Sequence, residues 1–281
     1  MRLGIFAKTF DGSDPATVLE AVGRSGFTAT QYNMACSGLA AMPDRIEPAA
    51  ARAVAQAAAE RSIEIAAVSG TYNMIHPDLK VRAAGLARLA VLARACADLG
   101  APLITLCTGT RDPNDQWHGH PDNNRPEAWR DLLSAMEAAI AIAEQFDVLL
   151  GIEPELANVV DSAQRARRLV DQLGSPRLKI VLDPANLFET ASLAEQQRIV
   201  ATAIELLADR IALGHAKDRL ADGSFAAAGS GVLDYPHYLS RLAAAGFDGP
   251  LITHGLSAAE APRVAAFLER TLRESGIRIA A

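Results

Sequence analysis

Aromatic residues make up only 5% of the 281-residue chain, and cysteine occurs three times. Cys36, Cys96 and Cys107 are odd in number and show no CxxC spacing. That pattern gives no metal–thiolate site and fits a reducing compartment. Long apolar runs are missing too. None approaches the roughly 18–20 residues that a membrane-spanning helix needs, and the apolar stretch within residues 1–8 is too short for a signal peptide. Basic residues do not dominate: 27 Lys and Arg stand against 33 Asp and Glu, a net charge of −6. Such a balance argues against general affinity for nucleic acid or an anionic membrane surface. These absences lead to the expectation of a cytoplasmic protein that binds neither.

What the chain does have is apolar residues, half of the total, enough for one large core. Alanine is very frequent, which suits small-faced, closely packed helices. Short apolar runs alternate with helical segments along the whole length. The pattern predicts strands over 3–7, 27–32, 63–69, 103–107, 148–153, 178–183, 211–215 and 251–254. Between and after them it predicts helices over 14–25, 47–61, 78–99, 126–146, 161–173, 192–208, 235–245 and 259–274. Asp14 before Pro15 is a helix start, and Gly100-Ala101-Pro102 a stop. Eight strand–helix pairs imply an α/β fold with a parallel sheet, a (β/α)8 TIM barrel. No linker or composition break divides residues 1–281, so a single domain is expected. An open doubly wound sheet would normally show a Gly-rich turn after its first strand, and residues 6–12 (FAKTFDG) are not one.

In such a barrel the active site lies at the C-terminal ends of the strands. The fifth strand, VLLGI, stops at Glu153 followed by Pro154 and Glu155. A carboxylate at the end of a buried strand is costly unless something there binds it. Reading on, the sixth strand ends at Asp183, the seventh at His215 and the eighth at His254. The four lie one βα unit apart, so barrel closure would bring them to one rim. Glu, Asp and two His form a plausible N/O shell for a divalent transition metal such as Mn, Zn or Co. His76 in the loop after the third strand, and His118 and His120 in the long loop 108–124, fall on the same face. They are candidate substrate-binding residues, with Trp117 a candidate wall for a sugar ring.

Four segments resemble the sugar phosphate isomerase/epimerase family of xylose-isomerase-like TIM barrels, a superfamily that also holds the endonuclease IV group. They are Gly151-Ile152-Glu153-Pro154, Leu182-Asp183-Pro184-Ala185-Asn186, His215-Ala216-Lys217-Asp218 and the run from Gly229 to Tyr235. They occur in the family's order at strand ends, and the resemblance covers nearly the whole chain. The resemblance implies one divalent ion, Mn2+ foremost with Zn2+, Co2+ or Mg2+ as alternatives, held by Glu153, Asp183 and His215. At the fourth position the family's sugar epimerases carry a second Glu, where this chain has His254. A metal-bound imidazole is a poor base, because one nitrogen is occupied and the other carries a proton.

The resemblance therefore implies an isomerase or epimerase acting on a sugar or keto-sugar through a metal-stabilised enediolate, with Glu153 as base and His254 as ligand or acid/base. Glu155, Asn186 and Lys217 join the histidines and Trp117 as expected substrate contacts, and Lys217 or Asp218 is expected to orient the shell. Backbone N–H groups of Gly229-Ser230-Gly231 are candidates for holding a substrate phosphate. The same site could serve a lyase or dehydratase that expels a group from a keto-sugar or polyol. A metal-binding subunit with lost catalysis is a further alternative. An abasic-site endonuclease would call for clustered metals and a basic face, which this acidic chain opposes. Barrels of this kind often form homo-oligomers, but no residue here specifies one.

Overall fold

A computed structural model describes residues 1–280. Eight parallel strands close into a barrel: β1 (Arg2–Phe6), β2 (Ala29–Tyr32), β3 (Glu64–Ser69), β4 (Leu103–Cys107), β5 (Leu149–Glu153), β6 (Leu178–Leu182), β7 (Ile211–Ala216) and β10 (Pro250–Thr253). Neighbours in sequence are neighbours in space, and β10 pairs with both β7 and β1 to complete the ring. The helices are α1 (Pro15–Arg24), α2 (Pro48–Ala59), α3 (Leu79–Leu99), α4 (Pro126–Gln145), α5 (Ala163–Leu173), α6 (Leu193–Leu207), α7 (Tyr235–Ala244) and α8 (Ala261–Glu274). The predicted TIM barrel is thus observed, with most element ends moved by a residue or two.

Local chemistry sets those ends. Asp14 accepts a hydrogen bond from the Thr17 backbone N–H at 2.9 Å and starts α1, satisfying an otherwise orphan donor. Ser192 and Glu195 form a reciprocal capping box on α6. Gly100 closes α3 in the left-handed conformation, with φ at 69°, which a glycine adopts without steric cost.

Small side chains let the barrel close. Ala29, Ala66 and Ala67 are buried with Leu103, Val181, Leu213 and Ile252 in a cluster separate from the main apolar core. Gly4 lies so close to Ile252 and the Ala29 carbonyl that a Cβ would collide with both. Register carries this order to the rim. Cys107 is level with Glu153 across β4 and β5, and Ile252 is level with His215 across β10 and β7.

Two features depart from the expected elements. A two-stranded antiparallel hairpin, β8 (Asp218–Arg219) and β9 (Phe225–Ala226), stands within the stretch read as a plain loop. Its strands are two residues long, too short to show any period in sequence. Strand β6 stops before Asp183, which caps a short 3-10 turn, Pro184–Asn186. Among the described residues, no helix is long and apolar enough to cross a membrane.

Candidate metal centre

Glu153, Asp183, His215 and His254 converge at the C-terminal ends of β5, β6, β7 and β10. One ligand-type atom from each lies within 4.8 Å of all the others. His215 Nδ1 is 3.3 Å from Glu153 Oε1 and 3.9 Å from Asp183 Oδ2. His254 Nε2 is 3.1 Å from the same Asp183 oxygen, and the two imidazole centroids are 4.4 Å apart.

Asp183 divides its two oxygens. Oδ1 accepts from the Ala185 backbone N–H at 2.9 Å, the turn-capping role that any strand-end Asp before proline can play. Oδ2 faces the cluster and also takes an ion pair from Lys217 Nζ at 3.1 Å. Lys217 donates in addition to Asn186 Oδ1 at 2.8 Å, and Asn186 Nδ2 donates to Glu153 Oε1 at 2.7 Å. Lys217 and Asn186 thus tie the two carboxylates to one buried network.

Gln31, at the end of β2, supplies a contact that the sequence reading missed. Its amide nitrogen donates to Ser69 Oγ and Thr105 Oγ1, both at 3.1 Å. The amide oxygen is left to accept from His215 Nε2 at 3.0 Å. His215 Nε2 is thereby committed to Gln31, which leaves Nδ1 as the ring nitrogen facing Glu153 and Asp183, the arrangement that metal-ligating histidines adopt. The signal was present: Gln31 is a polar residue at a strand end, on the rim that yielded the four others.

The electrostatics follow from this crowding. Burial pushes the Glu153 carboxyl up, but the charge and hydrogen bond of His215, with the Lys217 ammonium, together leave it below its ordinary value. Burial likewise opposes ionisation of Asp183, yet Lys217, His254 and His215 hold it well below the carboxylate range. Burial and the neighbouring His215 push His254 down. Glu155, beyond β5, is raised to about 7 by burial and by the Glu153 charge. Two ionised carboxylates and two imidazole nitrogens therefore converge on one buried point. Lys217 and the ring N–H groups balance the carboxylate charge there, and a divalent cation would take the place of the ring protons; the two-nitrogen, two-carboxylate donor set suits a divalent transition metal.

The cluster borders a cavity of about 450 Å³, lined by Glu153, His215 and His254 with Glu155, Asn186 and Lys217. Trp117 and Phe225 stand on its wall. The Phe225 ring faces Lys217 Nζ at 3.9 Å and Arg219 Cζ at 4.1 Å, so the unforeseen hairpin brings an aromatic edge over the centre.

The loop histidines lie elsewhere. Both ring nitrogens of His76 are engaged, one by the Asp78 backbone N–H at 3.0 Å and the other with the Pro113 carbonyl at 3.1 Å. His118 pairs with Asp112 at 2.8 Å on the exposed loop, and His120 caps the Pro121–Asn124 turn through Nδ1. His76 lines a neighbouring hollow, while His118 and His120 line neither it nor the cavity. The structure does not bring these three together with the cluster.

The expectation that the Gly229-Ser230-Gly231 backbone holds a substrate phosphate is corrected. Gly229 and Gly231 both donate to Asp218 Oδ2 at 3.0 Å, and Arg219 and Leu233 donate to Oδ1 at 2.9 and 3.0 Å. The buried Asp218 carboxylate is the anion that this loop binds. It shapes the loop and makes none of its side-chain hydrogen bonds to the four-residue cluster.

Residues 19–271 match the xylose isomerase-like TIM barrel family. The chain belongs to that family. Its fold is shared with 3-keto-D-glucoside 4-epimerase YcjR from E. coli, with a TM-score of 0.75 at 16% identity over 96% of this chain and 99% of that one. L-ribulose 3-epimerase superposes with a TM-score of 0.76 at 17% identity, covering 98% of this chain and 95% of that one. D-psicose 3-epimerase from Clostridium cellulolyticum H10, solved with D-tagatose, gives 0.71 at 16% identity and 98% coverage of both chains. No curated protein sequence matches the chain.

Proposed function

We propose that this chain is a divalent-metal-dependent isomerase or epimerase acting on a sugar or keto-sugar. One observation carries the reading: Glu153, Asp183, His215 and His254 converge on one point beside a cavity of about 450 Å³. Small-molecule sites commonly occupy roughly 300–1,000 Å³. The sugar-epimerase activities in the names of YcjR and the two ketose 3-epimerases support the substrate class.

Glu153, Asp183, His215 and His254 would hold the ion. Bound there, it supplies Lewis-acid stabilisation of negative charge developing on adjacent substrate oxygens. Glu153 removes the proton next to the substrate carbonyl. Its Oε1 is fixed by Asn186, and its lowered pKa keeps it in the ionised form that a base requires. Gln31 holds the His215 ring in place, and Lys217 holds Asp183. Glu155 is a second carboxyl on the same cavity wall. It would return the proton, a role His254 would fill poorly with one ring nitrogen on the metal and the other carrying a proton.

A lyase would use the same base and expel a group, so the product separates the readings. Metal-loaded protein is incubated in D2O with a panel of free keto-sugars and followed by NMR. The expected result is deuterium at the carbon next to the carbonyl and an isomeric sugar, with exchange reduced roughly 100-fold or more in Glu153→Gln. An unsaturated product assigns the lyase. Full metal occupancy without exchange on any sugar overturns the proposal.

A further inference from the structure

A second hollow, of about 550 Å³, abuts the main cavity. The two share Ala41, Met42, Thr71, Gln116 and Trp117 as walls. A single sugar ring placed against Glu153 and His254, which line the main cavity alone, would leave this outer hollow unfilled. The indole is 54% exposed, although its backbone N–H is anchored on Asp115 Oδ1 at 2.9 Å. Trp117 belongs to the walls of both hollows, so a ring bound in either one has an exposed indole to meet.

The chemistry of the outer hollow narrows its occupant. Met42, Tyr72, Val81 and Trp117 offer apolar faces, while Asn114 and Gln116 supply amides that make no side-chain hydrogen bond to the described protein. That mixture suits a ring with apolar C–H faces and hydroxyl edges. An anionic group fits badly. Arg88 is the Lys/Arg cation in the lining and is paired with Asp44 at 2.7 Å, and Asp112 and Asp115 also line the hollow.

We propose that the physiological substrate is a neutral glycoside: a reacting sugar at the four-residue cluster, joined to a second ring that stacks on Trp117 in the outer hollow. This inference rests on the sugar reading above and extends it from free sugars to substrates with a second ring.

The test compares binding and exchange in the metal-loaded protein. Calorimetric titration with cellobiose, maltose and sucrose is set against glucose, fructose and methyl β-glucoside, with Trp117 fluorescence as a second readout. A disaccharide is expected to bind about ten-fold tighter than either monosaccharide, with methyl β-glucoside gaining little. Val81→Trp, which fills the outer hollow from α3, is expected to abolish that gain and to leave D2O exchange on free keto-sugars at the wild-type rate. Trp117→Ala should likewise remove the gain. Free sugars binding and exchanging while every disaccharide binds equally or more weakly overturns the second subsite alone. A gain that survives Val81→Trp overturns its location. If no sugar binds and none exchanges, the sugar reading falls and this inference falls with it.

Discussion

Asp183 Oδ2 accepts from Lys217 and lies 3.1 Å from His254 Nε2, so one carboxylate oxygen ties both to the centre of the cluster. The contact makes His254 part of the centre's electrostatics whatever occupies it. Glu153 and Glu155 are the carboxyls on the cavity wall.

His254→Ala is expected to lower divalent-metal affinity by at least roughly ten-fold, since one of four donors is lost. Calorimetric titration with Mn2+ and metal analysis after dialysis measure it. Unchanged stoichiometry and affinity would show that His254 serves as an acid/base without binding metal.

Gln31→Leu removes the acceptor that sets the His215 tautomer while leaving all four candidate ligands intact. Metal affinity should fall roughly 10–100-fold, the usual effect of losing such a support. Gln31→Glu keeps an acceptor and should retain more of it. Equal affinities in wild type and Gln31→Leu would remove the orienting role.

Asp218→Asn tests the anion that organises the 229–233 loop. Four backbone N–H groups lose a full carboxylate partner, and two of them face an amide NH2 instead. A stability loss of about 3 kcal/mol is expected, read as a lower denaturant midpoint at unchanged slope. Inorganic phosphate should leave the wild-type melting temperature unmoved. Strong phosphate stabilisation would reinstate this loop as a phosphate site.

Asp112 carries the pH-dependent prediction. Backbone N–H groups of Asn114, then the His118 ring and the Asp115 N–H, lower its carboxyl to about 2. The folded value lies below the unfolded value of about 3.9. The order it lends to the loop bearing Trp117 is therefore full above about pH 4 and is lost as pH falls toward 2. Trp117 emission should change across that window and not in Asp112→Asn. A wild-type trace identical to that of the variant would refute the clamp.

The fold and the candidate site differ in how far they could be read from the chain. Strand order and barrel closure follow from local information: apolar runs, helix starts such as Asp14-Pro15, and one βα unit after another. The strand-end positions of Glu153, Asp183 and His215 follow in the same way, because parallel strands all present their C-terminal ends on one rim. Partners across the barrel are another matter. That His215 meets Gln31, 184 residues away, depends on closure between the first and last strands, which no local pattern encodes. The glycine loop around 229–231 looked free to bind phosphate until folding placed Asp218 beneath it. His76, His118 and His120 shared the right face in sequence, but nearby backbone and Asp112 claim their ring nitrogens. Sequence by itself determined which residues reach the rim, since that is a matter of strand direction and spacing. Only the tertiary structure decided which atoms face one another there, because a hydrogen bond requires two groups within about 3 Å and that distance exists only once the ring is closed.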